Sequence, residues 1–258
     1  MTANFEPFLS AALWCAGLGL VAWMVSVLRR DAGIADVFWP WFAVGSAAFY
    51  LPSTEAASLL ASTVLIAIVI SACRLSVMVW RRTARAGEDR RYSEIRARWG
   101  KGFALKSLPG IFMLQAAMGF LLAVPLAYVM TRADSLSGWD LGFGALWLLG
   151  FLLQVSADWQ LAQFARRDDG SGVLKSGVWR YSRHPNYFGE LCMAWAIFGF
   201  AAIGGGGWTV FAPVLITWSI LRFTGISRME DAISTRRPGY GAYARQTSPL
   251  IPWPPRKT

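Results

Sequence analysis

Seven apolar segments, each near the length needed to cross a bilayer, constrain this chain more than any other feature. The hydrocarbon core of a bilayer takes about 20 apolar residues per helix. The segments therefore predict an all-α, polytopic membrane protein with seven transmembrane helices. They lie at 8–28, 34–51, 56–80, 110–131, 139–165, 187–204 and 207–227.

The basic residues alternate across these segments. Of the 25 Lys and Arg residues, 22 follow the first, third, fifth or seventh segment, and on the opposite side lies Arg132. Because cytoplasmic loops collect Lys and Arg, the N-terminus is predicted outside and the C-terminus in the cytoplasm. Glu6 and the lack of a basic residue before the first segment argue against a cleavable signal peptide. The predicted location is a bacterial inner membrane, with the cofactor site opening on the cytoplasmic side.

Composition excludes other classes of protein. The chain is 55% hydrophobic and carries a formal charge of +10, which fits a membrane protein with basic loops and not a nucleic-acid binder. The cysteines at 15, 73 and 192 lie in apolar runs, so no disulfide framework is expected. One membrane domain over 1–258 is predicted. It comprises a basic cytoplasmic loop at 81–109, a cytoplasmic cofactor loop at 166–186 and a cytoplasmic C-terminal segment at 228–258.

Polar clusters occur in three of the predicted cytoplasmic elements. They lie at 81–92, at 158–190, and at 228–230 with Tyr240 and Tyr243 downstream. Arginine forks and amides at one face of the membrane could hold a ligand with several phosphates. The alternative is that these arginines set topology and touch anionic lipid.

The densest cluster is GVWRYSRHPNYFGE at 177–190. A topology signal requires only cations and does not explain Asn186, Tyr187 or Glu190. This segment is therefore interpreted as a cofactor-binding segment. His184 is the sole histidine and has no second ligand at metal spacing, which argues against a metal site. A Gly-rich fingerprint after a strand and a serine nucleophile elbow are also missing.

Asp36 lies at the start of the second apolar segment, and Arg74 lies within the third. An ion pair between them is the structural interpretation. The functional interpretation makes Asp36 a catalytic acid that donates a proton or polarises a carbonyl. The sequence leaves both open.

The motifs resemble those of a known membrane superfamily. RHPNYFGE at 183–190, with Gly177 and Trp179 ahead of it, is similar to the signature of the reductases that include steroid 5-alpha-reductases and sterol C14 reductases. The resemblance is strongest to the bacterial DUF1295 branch. Further matches are GEDRRY at 87–92, Asp158 with FAR at 164–166, Gly225-Ile226 with Glu230, and YGAY at 240–243 ahead of LIP at 250–252.

This resemblance implies a seven-helix fold in which NADPH enters from the cytoplasmic side and transfers hydride to an activated carbon-carbon double bond of a lipid. The expected partners are a lipidic small molecule and membrane lipids. The cofactor contacts predicted in this way are Arg82, Arg90, Tyr92, Asp158, Arg166, Trp179, Arg183, His184, Asn186, Tyr187, Glu190, Arg228, Glu230 and Tyr243.

The substrate end of the site departs from the steroid enzymes, which place a Glu in the second span and a Tyr in the third. Asp36 falls beside the Glu position, and the Tyr position falls at or near Ser71. The third segment contains no tyrosine. Tyr50 and Trp39 are the candidates to replace it.

Three functions are therefore expected, in descending order. The first is an NADPH-dependent reductase of a conjugated carbonyl or sterol-like double bond. The second is a membrane methyltransferase of the isoprenylcysteine type, which uses S-adenosylmethionine and shares the Arg-His-Pro block. The third is a lipid or sterol binder that lacks turnover.

Overall fold

The computed structural model describes residues 5–52, 57–133, 135–168, 172–223 and 226–256, without the side chains at 86, 223, 227–229, 231 and 232. Regular structure in these residues is helical, apart from an isolated bridge between Ser182 and Ser248. The predicted all-α class is confirmed. The α-helices are α1 (Glu6–Arg29), α2 (Ile34–Tyr50), α3 (Leu59–Ala86), α4 (Arg90–Trp99), α5 (Phe103–Ser107), α6 (Leu114–Met130), α7 (Gly138–Ala165), α8 (Pro185–Ala201), α9 (Phe211–Trp218), α10 (Ile226–Arg236) and α11 (Tyr240–Gln246).

Five helical stretches of the described residues are long and apolar enough to cross a membrane, as expected of an integral membrane protein. α2 has 17 residues and is shorter than these five. The sixth and seventh predicted segments run together into one stretch of 38 residues. The five stretches are Glu6–Arg29, Leu59–Arg85, Phe103–Met130, Gly138–Ala165 and Pro185–Arg222.

The segment at 81–109, predicted as a loop, is largely helical. α3 continues to Ala86, and α4 and α5 follow after short breaks. Asp89 explains the start of α4, because its side chain accepts a hydrogen bond from the backbone N–H of Arg91 and so caps the helix. Gly100 and Gly102 separate α4 from α5, each with a positive φ that glycine adopts without strain.

The chain divides into two units. The first consists of Met1–Ser135 and Ala201–Thr209 and contains α1 to α6. α2 and α6 approach closely at Gly119, where an added Cβ would lie 2.6 Å from the Cβ of Phe42. Phe42 packs there with Cys15 and Ala116. Small residues that allow close van der Waals contact are how apolar helices associate in lipid, where the hydrophobic effect between them is weak.

A second cluster of the first unit joins the α1–α2 turn to α4, α5 and the helical turn Leu108–Met113 that precedes α6. Tyr92, Phe103 and Phe112 are buried in it beside Ala32 and Ala35. Because of this packing, the buried face of α4 lies against the first turn of α2, which contains Asp36.

The second unit consists of Leu136–Phe200 and Val210–Thr258. α7 begins with a capping box between Ser137 and Asp140. The backbones of α7 and α8 are in close contact at Gly150 and Gly189. A Cβ added at Gly150 would lie only 2.6 Å from the carbonyl oxygen of Gly189.

Candidate functional site

Asp36 in the first turn of α2 binds two donors from α4. Its Oδ2 accepts a hydrogen bond from Nη2 of Arg91 at 2.7 Å, and its Oδ1 accepts one from the hydroxyl of Tyr92 at 2.6 Å. Nη2 of Arg82 lies 3.9 Å from Oδ2. Both carboxylate oxygens thus act as acceptors. Pairing of Asp36 with Arg74, which lies in α3, stays a prediction.

Asp89 links α3 to α4 beside this site. In addition to capping α4, its carboxylate accepts hydrogen bonds from Nε of Arg91 at 3.0 Å and from Nη2 of Arg82 at 3.1 Å. Arg91 therefore bridges two carboxylates, those of Asp89 and Asp36. Fork-shaped guanidinium donors suit such double contacts.

Glu88 fastens the same segment to the α1–α2 turn. Its carboxylate accepts a hydrogen bond from the backbone N–H of Ala32 at 2.8 Å and two from the guanidinium of Arg96, at 2.9 and 2.6 Å. Burial alone would raise the pKa of Glu88, but these donors outweigh it and the pKa lies below its ordinary value. The guanidinium of Arg96 also lies 4.1 Å from the centre of the Phe103 ring. GEDRRY at 87–92 is thus anchored by acid–base contacts.

The ionisation of the α4 residues follows from these contacts. Burial, followed by the neighbouring Asp36 carboxylate, raises the pKa of Tyr92 well above its ordinary value. Burial would lower the pKa of Arg91, but Asp36 and Asp89 raise it. For Asp89, burial is outweighed by Arg91, and the pKa is lowered. At neutral pH, Tyr92 is therefore a protonated phenol.

Gln115 on α6 completes the surroundings of Tyr92. Its side-chain amide donates to the Tyr92 hydroxyl at 3.2 Å. That hydroxyl therefore accepts from Gln115 and donates to Asp36, and Tyr92 is 6% exposed. The tyrosine that contacts Asp36 comes from α4. Of the two candidates expected for this role, Trp39 packs beside Phe42 and Tyr50 packs on Phe8.

Arg82 and Arg90 of the first unit, which were predicted to bind the cofactor, are exposed to solvent. Arg82, whose side chain is 51% exposed, binds Asp89. Arg90, 62% exposed, forms an ion pair with Glu94 one turn along α4, at 2.7 Å. Their role as cofactor contacts stays a prediction.

In the second unit, the loop before α8 is held by α7 and by α11. The indole N–H of Trp179 donates to the carbonyl of Ala157 at 3.1 Å, and the Tyr243 hydroxyl donates to the carbonyls of Trp179 and Ser182. Both aromatic side chains are buried. In this geometry, the polar atoms of Trp179 and Tyr243 shape the loop; their contact with a cofactor stays a prediction.

The C-terminal segment also fixes this loop. The backbone N–H of Arg183 donates to the carbonyl of Ser248 at 2.8 Å, and the Ser182 hydroxyl donates to the carbonyl of Leu250 at 2.6 Å. Ser182 Oγ in turn accepts from the backbone N–H of His184 at 3.1 Å. These hydrogen bonds fix the backbone at Arg183 and His184 and so orient their side chains.

Glu230 on α10 contacts two side chains of this loop, those of Arg183 and His184. Its Oε1 lies 3.1 Å from Nε of Arg183 and 3.1 Å from Nε2 of His184. Nε of Arg183 is buried and is not aligned for a hydrogen bond, so the contact is an ion pair by distance only. Burial lowers the pKa of His184 although Glu230 acts to raise it. Burial, with Glu230 next, raises the pKa of Tyr240 to about 12.

The first turn of α8 carries the remaining predicted contacts. The side-chain amide of Asn186 donates to Oδ1 of Asp158 at 3.3 Å, and its oxygen accepts from the backbone N–H of Tyr187 at 3.0 Å. The ring of Tyr187 stacks on His184 with centroids 5.6 Å apart. Glu190 is half-buried one turn further along α8.

Two further predicted residues, Arg166 and Arg228, belong to the second unit. Arg166 is exposed immediately after the end of α7. Arg228 belongs to α10, but its side chain lies outside the described part of the chain. Among the described side chains of α10, Glu230 reaches the loop.

Several participants, among them Arg91 and Gln115, were not predicted as site residues. Arg91 lies within the recognised GEDRRY segment, so its acidic neighbours were a signal that it makes local ion pairs. Gln115 is an amide within an otherwise apolar helix, and such a residue calls for a polar partner.

Comparisons with known proteins agree with the motifs. A family model described as "Protein of unknown function (DUF1295)" matches residues 22–247. The chain is 24% identical over 280 residues to an uncharacterized protein of Schizosaccharomyces pombe, a match that covers 96% of this chain and 80% of the yeast protein. No solved structure matches the chain significantly. Since the family model spans most of its length, the chain belongs to the DUF1295 family.

Proposed function

We propose that this protein is an integral-membrane, NADPH-dependent reductase that acts on an activated carbon-carbon double bond of a lipidic enone. In this proposal it is a relative of the steroid 5-alpha-reductases and sterol C14 reductases. The observation that carries the proposal is the 2.6 Å hydrogen bond from the Tyr92 hydroxyl to Asp36. The resemblance requires a carboxyl group and a tyrosine that act together, and the fold pairs them although α3 contains no tyrosine.

The chemistry of such a pair suits a conjugated carbonyl. Hydride addition to the β carbon of a conjugated carbonyl would leave the negative charge of an enolate on the carbonyl oxygen, and a positioned donor stabilises that charge until a proton is taken up. Tyr92 is buried, and its raised pKa keeps the phenol protonated. Asp36 accepts on both oxygens in this geometry, so we assign the proton to Tyr92 and an orienting role to Asp36. Arg91 remains on Asp36 when the Tyr92 hydroxyl turns to a substrate.

The second unit carries donors and acceptors of the kind a nucleotide requires. NADPH would supply a hydride equivalent. Arg183 offers a guanidinium to a phosphate, and the Asn186–Asp158 pair offers an amide and a carboxylate to ribose or nicotinamide groups. The burial of Arg183 Nε without a hydrogen bond is consistent with a guanidinium held for another acceptor.

The topology in this proposal has seven crossings. A stretch of 38 residues exceeds the length needed for one crossing. Gly204 and Gly205 interrupt it with non-helical backbone angles. With α2 as a short span, this makes seven. In this proposal the N-terminus lies outside and the C-terminus in the cytoplasm of a bacterial inner membrane, where NADPH is available; the basic loops support this orientation.

Cofactor binding and turnover test the proposal together. Protein purified in mild detergent should bind NADPH with micromolar affinity in calorimetry and oxidise it in the presence of at least one of a panel of enones. Arg183→Gln should weaken binding about tenfold or more, as expected for a lost charge-assisted hydrogen bond. Arg256→Gln, an exposed cation of the C-terminal segment, is the matched control and should bind normally.

Other outcomes would replace the proposal. Absence of NADPH binding at protein concentrations suited to micromolar affinity would contradict it. Thermal protection by S-adenosylmethionine and not by NADPH would favour the methyltransferase. Lipid bound without oxidation of NADPH would favour the non-catalytic binder.

A further inference from the structure

A small cleft lies at one end of the first unit, where α1 ends and α3 approaches its last turns. Its volume is about 40 Å³. Arg29 is the last residue of the first apolar stretch, and the α3 residues of the cleft lie within the last two turns of the second. The cleft is therefore at the depth of lipid headgroups. It is lined by Arg29, Asp31, Ile34, Trp80, Thr83 and Ala84.

Asp31 provides a negative charge to the cleft. Its carboxylate accepts a hydrogen bond from the backbone N–H of Gly33 at 2.8 Å. Burial raises its pKa, and the cations Arg29 and Arg96 act to lower it. Arg96 is held by Glu88 through two hydrogen bonds, and Arg29 lies on Trp80. A small cation in the cleft would compensate the burial of this carboxylate.

Arg29 provides a positive charge beside it. Its guanidinium carbon lies 4.4 Å from the centre of the Trp80 ring. A guanidinium stacked by its face directs its N–H groups outward in its own plane, which is the geometry that binds phosphate. Leu28, the preceding residue, is 84% exposed and adjoins the position where an acyl chain would begin.

We propose that this cleft binds a phospholipid whose headgroup joins a primary ammonium to a phosphate. The ammonium enters beside Asp31, and the phosphate lies on the edge of the Arg29 guanidinium. Hydrogen-bonding chemistry decides between headgroups. A primary ammonium donates N–H groups to the Asp31 carboxylate, whereas a trimethylammonium group has no N–H to donate. An anionic glycerol headgroup would meet Asp31 with no positive charge to offer it.

The experiment compares lipids with one phosphate and different head groups. Delipidated protein in mild detergent is mixed with equal amounts of phosphatidylethanolamine, phosphatidylcholine and phosphatidylglycerol, all with the same acyl chains. Native mass spectrometry then measures which lipid remains bound. We expect phosphatidylethanolamine to be retained about tenfold over phosphatidylcholine, the ratio produced by one charge-assisted hydrogen bond.

Two variants separate the two halves of the site. Asp31→Asn should abolish the preference between phosphatidylethanolamine and phosphatidylcholine, and Arg29→Gln should weaken retention of both. Arg98→Gln changes an exposed cation of α4 that does not line the cleft, and it should behave as wild type. Helicity by circular dichroism checks that each variant folds.

Equal retention of the two lipids by the wild-type protein would overturn the proposal, as would an unchanged preference in Asp31→Asn. Preferential retention of phosphatidylglycerol would show general attraction of basic residues to anionic lipid and would equally overturn it. Should Arg29→Gln fail to fold, the headgroup comparison in wild type and Asp31→Asn still decides.

Discussion

The hydroxyl of Tyr92 lies 2.6 Å from a carboxylate oxygen of Asp36, although the two residues are 56 positions apart in the chain. Asp36 lies in the first turn of the short helix α2, and Tyr92 is a buried residue of the basic helix α4. Their contact unites the residue predicted to activate substrate with one predicted to contact the cofactor. The contact forms a carboxylate–tyrosine pair in a chain whose third helix contains no tyrosine.

Removing the Tyr92 hydroxyl should abolish turnover and leave cofactor binding intact. Tyr92→Phe retains the buried ring but loses the donor to Asp36, so kcat in the NADPH oxidation assay should fall at least about 100-fold, as for loss of one oxyanion donor. NADPH affinity in calorimetry should change little. Tyr181→Phe, at an exposed tyrosine, is the control. Wild-type turnover in Tyr92→Phe would exclude Tyr92 as the donor.

His184 should make stability depend on pH below neutrality. Its pKa in the folded protein is lowered from the ordinary value of 6.5, chiefly by burial. As pH falls below about 6.5, the unfolded chain binds a proton more readily than the folded one, and the free energy of unfolding decreases by at most about 1.4 kcal/mol per pH unit. Above this pH the contribution is fully present.

Denaturation in detergent between pH 7.5 and 5 measures this effect. His184→Gln should show a shallower decrease than wild type over that interval. Identical slopes in the two proteins would show that His184 does not titrate differently on folding.

The α7–α8 contact should not tolerate a methyl group at Gly150. Gly150→Ala would place Cβ 2.6 Å from the Gly189 oxygen and 2.8 Å from the Cys192 Cβ. Forcing the helices apart should cost about 1–3 kcal/mol. Gly142→Ala in the same helix meets open space and should stabilise by about 0.5–1 kcal/mol, because alanine is the better helix former. Thermal unfolding measures both. Equal effects of the two substitutions would contradict the close packing of α7 on α8.

We expect Tyr243 to position the loop before α8, which contains Trp179 and Ser182, and not to contact the cofactor itself. Tyr243→Phe removes the donor to the carbonyls of Trp179 and Ser182 and should destabilise the protein by about 1–3 kcal/mol. NADPH affinity should fall less at 10 °C than at 30 °C, because a loop that is only loosened is reordered on cooling. A temperature-independent loss of affinity with unchanged stability would make Tyr243 a direct contact.

Much of the fold could be predicted from local features. The apolar stretches that give α1, α3, α6 and α7 are long, and hydropathy over about 20 residues identifies such helices without knowledge of their neighbours. The helices between 81 and 109 were predicted as a loop because their charged sequence lacks an apolar run. Asp89, which caps α4, was a local signal that could have indicated the helix.

Predictions for the site were less complete, as Arg91 illustrates. GEDRRY was recognised as a motif and its Arg90 was predicted to contact the cofactor, but no partner was predicted for Arg91. In the fold, Arg91 binds Asp36 and Asp89, and Arg96 binds Glu88. Basic residues near acidic ones are therefore ambiguous until the geometry shows which pairs form.

The sequence by itself determined that the chain is helical, that several helices suit a membrane, and which motifs place it in its family, because hydropathy and motif order are properties of consecutive residues. Only the tertiary structure decided that Tyr92 and Gln115 meet at Asp36 and that Glu230 meets Arg183 and His184. These contacts join helices distant in the chain, and side-chain partners depend on how those helices pack.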